Sequence, residues 1–223
     1  STSALTFSDN SNSATVTLDS GSASPTFNAT TGYTGASSHY MAFTASDWTF
    51  PSAFSIEFVF KFGSTAGEYH SIFETYDTVT SNRLALMRNG TNANALSLYV
   101  VPSSGSSGQV EYSFSIDESK FEHVVLRFNG TDRPQVYVNG WQPSLTLTTT
   151  YGWTSGTTTI STGQRNFVVS GRNNVFPSVY PDNGTEETKL VAYYHTAVTA
   201  AEAMQLYEWR VLELDVLRKS SGS

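Results

Sequence analysis

The 223-residue chain contains no cysteine, which excludes both a disulfide framework and any thiolate metal site. Secretion stays open, because a domain of this size can bury enough apolar surface to stand without staples. Charge is scarce as well, at 14% of residues, and its balance of 12 basic against 19 acidic side chains gives a net −7. That balance argues against partners held by phosphate, whether nucleic acid or anionic membrane. No apolar run approaches the length of a membrane span, and the opening STSALTFSDN carries no apolar signal-peptide core. Any exported form is therefore expected to be mature or trimmed. The closing SSGS is expected to be linker or added tail and takes no part in the fold.

What the chain has instead is aromatic and hydroxyl side chains. It holds 14 Phe and 12 Tyr within a hydrophobic fraction of 39%, enough for a sizeable core. Ser and Thr make up roughly a quarter of it, above ordinary usage, and a surface of hydroxyls suits an extracellular or cell- or particle-surface protein. The length fits one all-β domain.

Strand-like stretches recur at 4–8, 14–19, 40–44, 54–62, 71–76, 83–88, 95–101, 109–115, 124–128, 135–139, 157–161, 166–170 and 189–195. Short strands separated by Gly, Asn and Ser turns predict a two-sheet antiparallel sandwich. In 54–62 the alternation is regular: Phe54, Ile56, Phe58, Phe60 and Phe62 share one face, expected to be core. Ser55, Glu57, Val59 and Lys61 share the other, expected to be largely wet. The Ser/Gly-rich stretches 20–38 and 102–108 read as loops. Thr199-Ala-Ala-Glu202 is a capping box, so a helix is expected over 199–218. Its apolar residues Met204, Tyr207, Val211 and Leu214 form a stripe, with Leu206, Trp209 and Val216 beside it. A helix apolar over so much of its circumference calls for a second contact, either another loop of this domain or another molecule, and the extension after Tyr207 is expected to serve oligomerisation or to join the rest of a longer parent chain. Trp48 and Trp141 are assigned to packing at strand ends.

Residues 121–140, FEHVVLRFNGTDRPQVYVNG, read as a hairpin whose second run closes on Asn139-Gly140, a dipeptide suited to positive φ at both turn positions. An aromatic, a His, an apolar run, a Gly turn and then YVNG resembles the signature hairpin of laminin G-like (concanavalin A-like) jelly-roll domains. The run from Tyr193 to Tyr207 resembles the last strand, turn and C-terminal helix of that family, and the likeness spans roughly 40–207. It implies residues 1–207 as the sandwich domain, with 208–219 a helical extension and 220–223 the tail. Two positions depart from the family pattern. Thr188-Lys189-Leu190 stands where an acid often enters the last strand, and Phe121 stands where Trp usually precedes the His. The family hosts lectins, adhesion modules, hydrolases, lyases and spacers, so the resemblance implies a fold before a function.

Hydrolases of this fold use carboxylates alternating on a strand as Glu-x-Asp-x-x-Glu. The nearest match, Glu213-Leu-Asp215-Val-Leu-Arg218, lacks the third acid and lies in the expected helix, where Glu213 and Asp215 do not share a face. No catalytic residue is therefore assigned. His39, His70, His123 and His195 have no metal-ligand spacing, and His123 reads as a hydrogen-bonded strand residue. Asn28, Asn89, Asn129 and Asn183 are candidate N-glycosylation acceptors; three read Asn-Gly-Thr, which a simple turn also explains. The best place for a ligand is 151–183. It holds Tyr151, Trp153, Arg172, Asn173, Asn174, Tyr180, Asp182 and Asn183, the rings to stack on sugar C–H faces and the amides, Arg and carboxylate to engage hydroxyls. The alternative is that Trp153 and Tyr180 are satellite core and the Asn residues shape turns. No cofactor is firmly implied, although Asp182 with neighbouring carbonyls could hold calcium. The leading expectation is a non-catalytic, lectin-like carbohydrate-binding or cell-adhesion module whose partner is a glycan or surface glycoprotein. The alternatives are a structural or protein-interaction domain and, third, a polysaccharide hydrolase or lyase.

Overall fold

The computed structural model describes the backbone of residues 4–8, 13–20, 26–28, 32–34, 39–43, 49–50, 52–62, 71–76, 83–88, 95–101, 110–117, 119–130, 132–150, 163–164, 166–169, 171–175, 178–181 and 186–220. Side chains are described for most of 52–147 within those ranges and for 188–212. The strands are β1 (Ala4–Ser8), β2 (Ser13–Ser20), β3 (Thr26–Asn28), β4 (Gly32–Thr34), β5 (His39–Phe43), β6 (Thr49–Phe50), β7 (Ala53–Phe62), β8 (Ser71–Tyr76), β9 (Arg83–Arg88) and β10 (Ala95–Val101). They continue with β11 (Val110–Ser115), β12 (Glu122–Asn129), β13 (Gln135–Val138), β14 (Thr146–Thr150), β15 (Gly163–Gln164), β16 (Asn166–Val169), β17 (Gly171–Val175), β18 (Ser178–Pro181) and β19 (Glu186–Tyr194). Helix α1 (Ala200–Ser220) follows.

Two antiparallel sheets form the sandwich. The larger runs β1-β2-β5-β16-β8-β9-β10-β11-β14 and the smaller β13-β12-β7-β19-β4-β3. The stretch 20–38 is not all loop: Thr, Phe and Tyr fit β3 and β4, and β4 gains a ladder partner by pairing with β19 at Thr34 and Glu187. The expected strand at 157–161 lies outside the described residues.

β7 sits between β12 and β19, in register at Phe58–Val124 and Phe58–Val191. Its inward residues Phe54, Ile56, Phe58 and Phe60 are fully buried, as the period of two requires. With Val124, Leu126, Phe128 and Val136 they meet Ile72, Phe73, Leu84, Leu86, Leu96 and Leu98 of the larger sheet. Phe54 stacks on Phe128 with centroids 4.6 Å apart, and Phe58 meets Phe73 at 5.3 Å across the sheets. Each such ring contributes about 1.5–3 kcal/mol by burial alone.

The outward face of β7 is not wet. Ser55, Glu57 and Val59 are as buried as the inward residues. The cause is α1, which lies across this face and builds a second core from Val125, Tyr137, Val198, Ala203 and Leu206. The chain turns into the helix with Ser55 Oγ accepting the Val198 N–H at 2.9 Å. The capping box forms as expected: Glu202 accepts from the Thr199 N–H at 2.6 Å, and Thr199 Oγ1 accepts from the Glu202 N–H at 3.2 Å. These bonds hold the Glu202 carboxyl below its ordinary range. The inner face of the helix is Ala203, Leu206, Tyr207 and Arg210, while Trp209 and Leu212 stand exposed. Among the described residues no helix is long and apolar enough to cross a membrane.

Candidate functional site

The sequence-predicted ligand residues fall partly on a small hairpin. β17 and β18 pair in register at Gly171–Pro181, Arg172–Tyr180 and Asn173–Val179. The ladder shifts between Asn173 and Val175, which leaves Asn174 outside the regular pairing. Arg172 and Tyr180 thus lie in strands, and pairing is what brings them, eight positions apart, opposite each other. β17 lies beside β8 and continues from β16, so the hairpin extends from the larger sheet. Tyr151, Trp153, Asp182 and Asn183 lie outside the described residues, as does the calcium position suggested for Asp182. Among the described residues, no group of three His, Cys, Asp or Glu could hold a metal ion.

A second polar constellation was not anticipated. Glu57, fully buried on the outer face of β7, accepts from His123 Nε2 at 3.0 Å and Arg210 Nε at 2.8 Å through Oε1. Its Oε2 accepts from Arg210 Nη2 at 3.2 Å and from the Tyr194 hydroxyl. Burial alone would push this carboxyl up. The hydrogen bonds from His123, Arg210 and Tyr194, with the Arg210 charge, outweigh it and hold the group at about 2. The Tyr194 hydroxyl moves the other way, raised by its burial and by the bond to anionic Glu57. The His123 ring lies tilted against Tyr207 with centroids 5.9 Å apart. Neither Glu57 nor His123 offers surface to a substrate, so the quartet joins three strands to the helix rather than performing acid–base chemistry. The structural role expected for His123 is the one it has.

The 121–140 hairpin builds a third locus. Asn139 at φ 51° and Gly140 at φ 79° form the tight turn that Asn-Gly favours. Val138 and Trp141 exchange both backbone bonds across it, at 2.7 and 3.0 Å. Asn139 is fixed by its N–H to the His123 carbonyl at 2.8 Å, by Oδ1 accepting the His123 N–H at 3.1 Å, and by Nδ2 donating to Glu122 Oε2. Glu122 Oε1 also accepts the Asp117 N–H at 2.7 Å, so one buried carboxylate ties this turn to the next. That second turn is closed by Asp117, which accepts from Ser119 Oγ at 2.6 Å and pairs with Lys120 at 2.8 Å. Those bonds bring its carboxyl down to about 2. Trp141 is not packed at a strand end as expected; the turn lifts it into water, 72% exposed. Of the sequons, Asn129 is exposed, but Asp132 takes its side chain, accepting from Nδ2 at 2.6 Å and donating its N–H to Oδ1 at 3.1 Å. Asn129 serves a turn here, with Gly130 at φ 110° completing it. Asn28 ends β3, and Asn89 and Asn183 lie outside the described residues. The two family departures touch: Lys189, at a bulge in β19, places Nζ 4.0 Å over the Phe121 ring.

No family model and no curated protein matches the chain. Among solved structures it is similar to the binding domain of botulinum neurotoxin serotype D, with a TM-score of 0.64 and 11% identity over 91% of this chain and 48% of that one. It is similar to the serotype D ligand binding domain in complex with N-acetylneuraminic acid, at 0.65 and 10% identity over 91% and 47%. A third is the binding domain of neurotoxin DC in complex with rat synaptotagmin II, at 0.59 and 12% over 89% and 47%. These likenesses show the sandwich fold. The chain spans about half the length of each matched domain.

Proposed function

We propose that the chain is a non-catalytic carbohydrate-binding or adhesion module of the jelly-roll, laminin G-like kind, working outside the cell or on a particle surface. The observation that supports it most is the shared sandwich: nearly the whole chain superposes on solved domains described as in complex with N-acetylneuraminic acid or with rat synaptotagmin II. The hydroxyl-rich composition agrees, and β17–β18 sets Arg172 opposite Tyr180, a cation and a ring of the sort that engages sugars. The test is a glycan array carrying neutral and sialylated structures, run with and without calcium. Binding that Arg172→Ala and Tyr180→Ala both weaken supports the reading; silence across the array under both conditions sinks it.

One observation favours a second reading, a protein-interaction domain. Trp209 and Leu212 are adjacent on the outer side of α1 and more than half exposed. In that reading residues 208–219 tether the domain to another copy or to the rest of a parent chain. Sedimentation of the wild type against Trp209→Ser/Leu212→Ser decides the self-association version: identical monomers at high concentration would exclude it.

A further inference from the structure

We propose that the two-turn tip carrying Trp141 is a stacking site for a neutral saccharide, with the exposed indole as its platform and Gln142 and Ser144 as flanking hydrogen-bonding groups. The ligand class rests on the carbohydrate-binding reading above; the place is new and is separate from the β17–β18 hairpin.

Exposure alone would not carry this, since single exposed apolar side chains are ordinary. What sets Trp141 apart is how firmly its backbone is held while its ring stays free. The Val138–Trp141 bonds close the turn at both ends, and both central residues have positive φ. Asn139 is bonded to β12 through its backbone N–H and both polar atoms of its side chain. Gly140 presses on α1 so closely that an added Cβ would lie 2.7 Å from Met204 Sδ. The turn therefore cannot rotate to bury the indole, whose side chain carries about 150–250 Å² of surface. With the backbone fixed in place, only the two side-chain torsions of the indole are left to order when a flat ligand lands on it.

The surroundings select the ligand. Gln142 and Ser144, next along the chain, are exposed and supply an amide and a hydroxyl. Lys120, on the neighbouring turn, is already paired with Asp117, and the same turn is anchored on anionic Glu122. No uncommitted cation is thus offered by that turn to a phosphate or carboxylate, and the chain's net −7 opposes an anionic surface. An isolated ring among polar groups suits the C–H face of a neutral sugar better than an apolar peptide, which needs a groove.

The probes are free cello-, malto-, chito- and galacto-oligosaccharides together with a sialylated oligosaccharide, titrated against the wild type, Trp141→Ala, Trp141→Phe and Arg172→Ala. For the oligosaccharide that binds, Trp141→Ala should weaken affinity by about tenfold or more, with Trp141→Phe recovering part of it and the melting temperature unchanged. The bound sugar should also shield one indole from acrylamide quenching in the wild type, and that shielding should vanish in Trp141→Phe. Equal affinity in wild type and Trp141→Ala overturns this site while leaving the carbohydrate reading intact. Binding confined to sialylated glycans overturns the neutral ligand class alone. Binding of no glycan of either kind overturns both. A fall in melting temperature for Trp141→Ala would show the ring to be structural and overturn the platform.

Discussion

Replacing Arg210 by Ala removes the residue through which α1 grips the sheet and leaves Glu57 buried with only His123 and Tyr194. Breaking a buried ion pair by deleting one partner costs about 3–5 kcal/mol, because the remaining charge keeps its desolvation penalty. Glu57 is fully buried, but the Arg210 side chain is 22% exposed, so water can reach part of the space it vacates. The lower end, about 3 kcal/mol, is expected. For a domain of this size that lowers the melting temperature by about 6–12 °C. Thermal and urea unfolding are the assays, with Glu208→Ala, exposed on the same helix, as a control expected within about 0.5 kcal/mol. The acid limb gives an independent check. Glu57 titrates at about 2 when folded against an ordinary 4.5, so its contribution is fully present above 4.5 and is lost as pH falls through 2. That difference corresponds to about 3 kcal/mol. In Arg210→Ala the stability should depend less steeply on pH across that window. If Arg210→Ala melts within a degree or two of Glu208→Ala, and the acid limbs coincide, the quartet does not hold the helix.

Phe58→Ala removes a fully buried ring that faces Phe73, and should cost about 3–5 kcal/mol in urea unfolding. On a wet face Glu57→Ala would be nearly silent; with the carboxylate buried among His123, Tyr194 and Arg210 it should instead cost about 3 kcal/mol or more. Gly140→Ala sets a Cβ at φ 79° against Met204, so about 1–2 kcal/mol of backbone strain adds to a steric clash. Pairing it with Met204→Ala should remove the contacts with Sδ and Cε and leave both the strain and the 3.2 Å approach to the Cα of residue 204, a partial recovery readable as melting temperature.

Chain termination at Tyr207 would be a poor probe of the segment that follows, because α1 runs unbroken past that point and Arg210 lies beyond it. The loss of the Glu57 contact would destabilise the sandwich whether or not 208–219 docks on anything. The Trp209→Ser/Leu212→Ser pair avoids this, since both side chains are exposed and neither is a member of the quartet.

Most strands and the helix were legible because their signals are local. Alternation in 54–62, the Asn139-Gly140 turn and the Thr199–Glu202 box each act within a few residues, and each formed where expected. The second face of β7 was misread because alternation reports which side chains share a face, not what covers that face. A covering element did leave a trace, though in the neighbouring strand. In β12 the consecutive residues Val124, Val125 and Leu126 are all apolar, so one of the two faces they address had to be Val125's own, away from the sandwich interior. An antiparallel strand with one wet face has no reason to spend a valine there. Tyr137, opposite Val125, and Val59 say the same on either side. Given that apolar outer patch, Glu57 in its midst could not be a solvated residue; it required a cation brought by whatever covered the patch. The helix whose inner face carries Ala203, Leu206 and Arg210 supplies both the cover and the charge. The converse logic applies to Trp141. A ring next to a strand is expected to pack, yet the turn that holds it answers to Glu122, His123 and Met204, groups 18 or more positions away along the chain. Its exposure is thus set by contacts that no local pattern encodes.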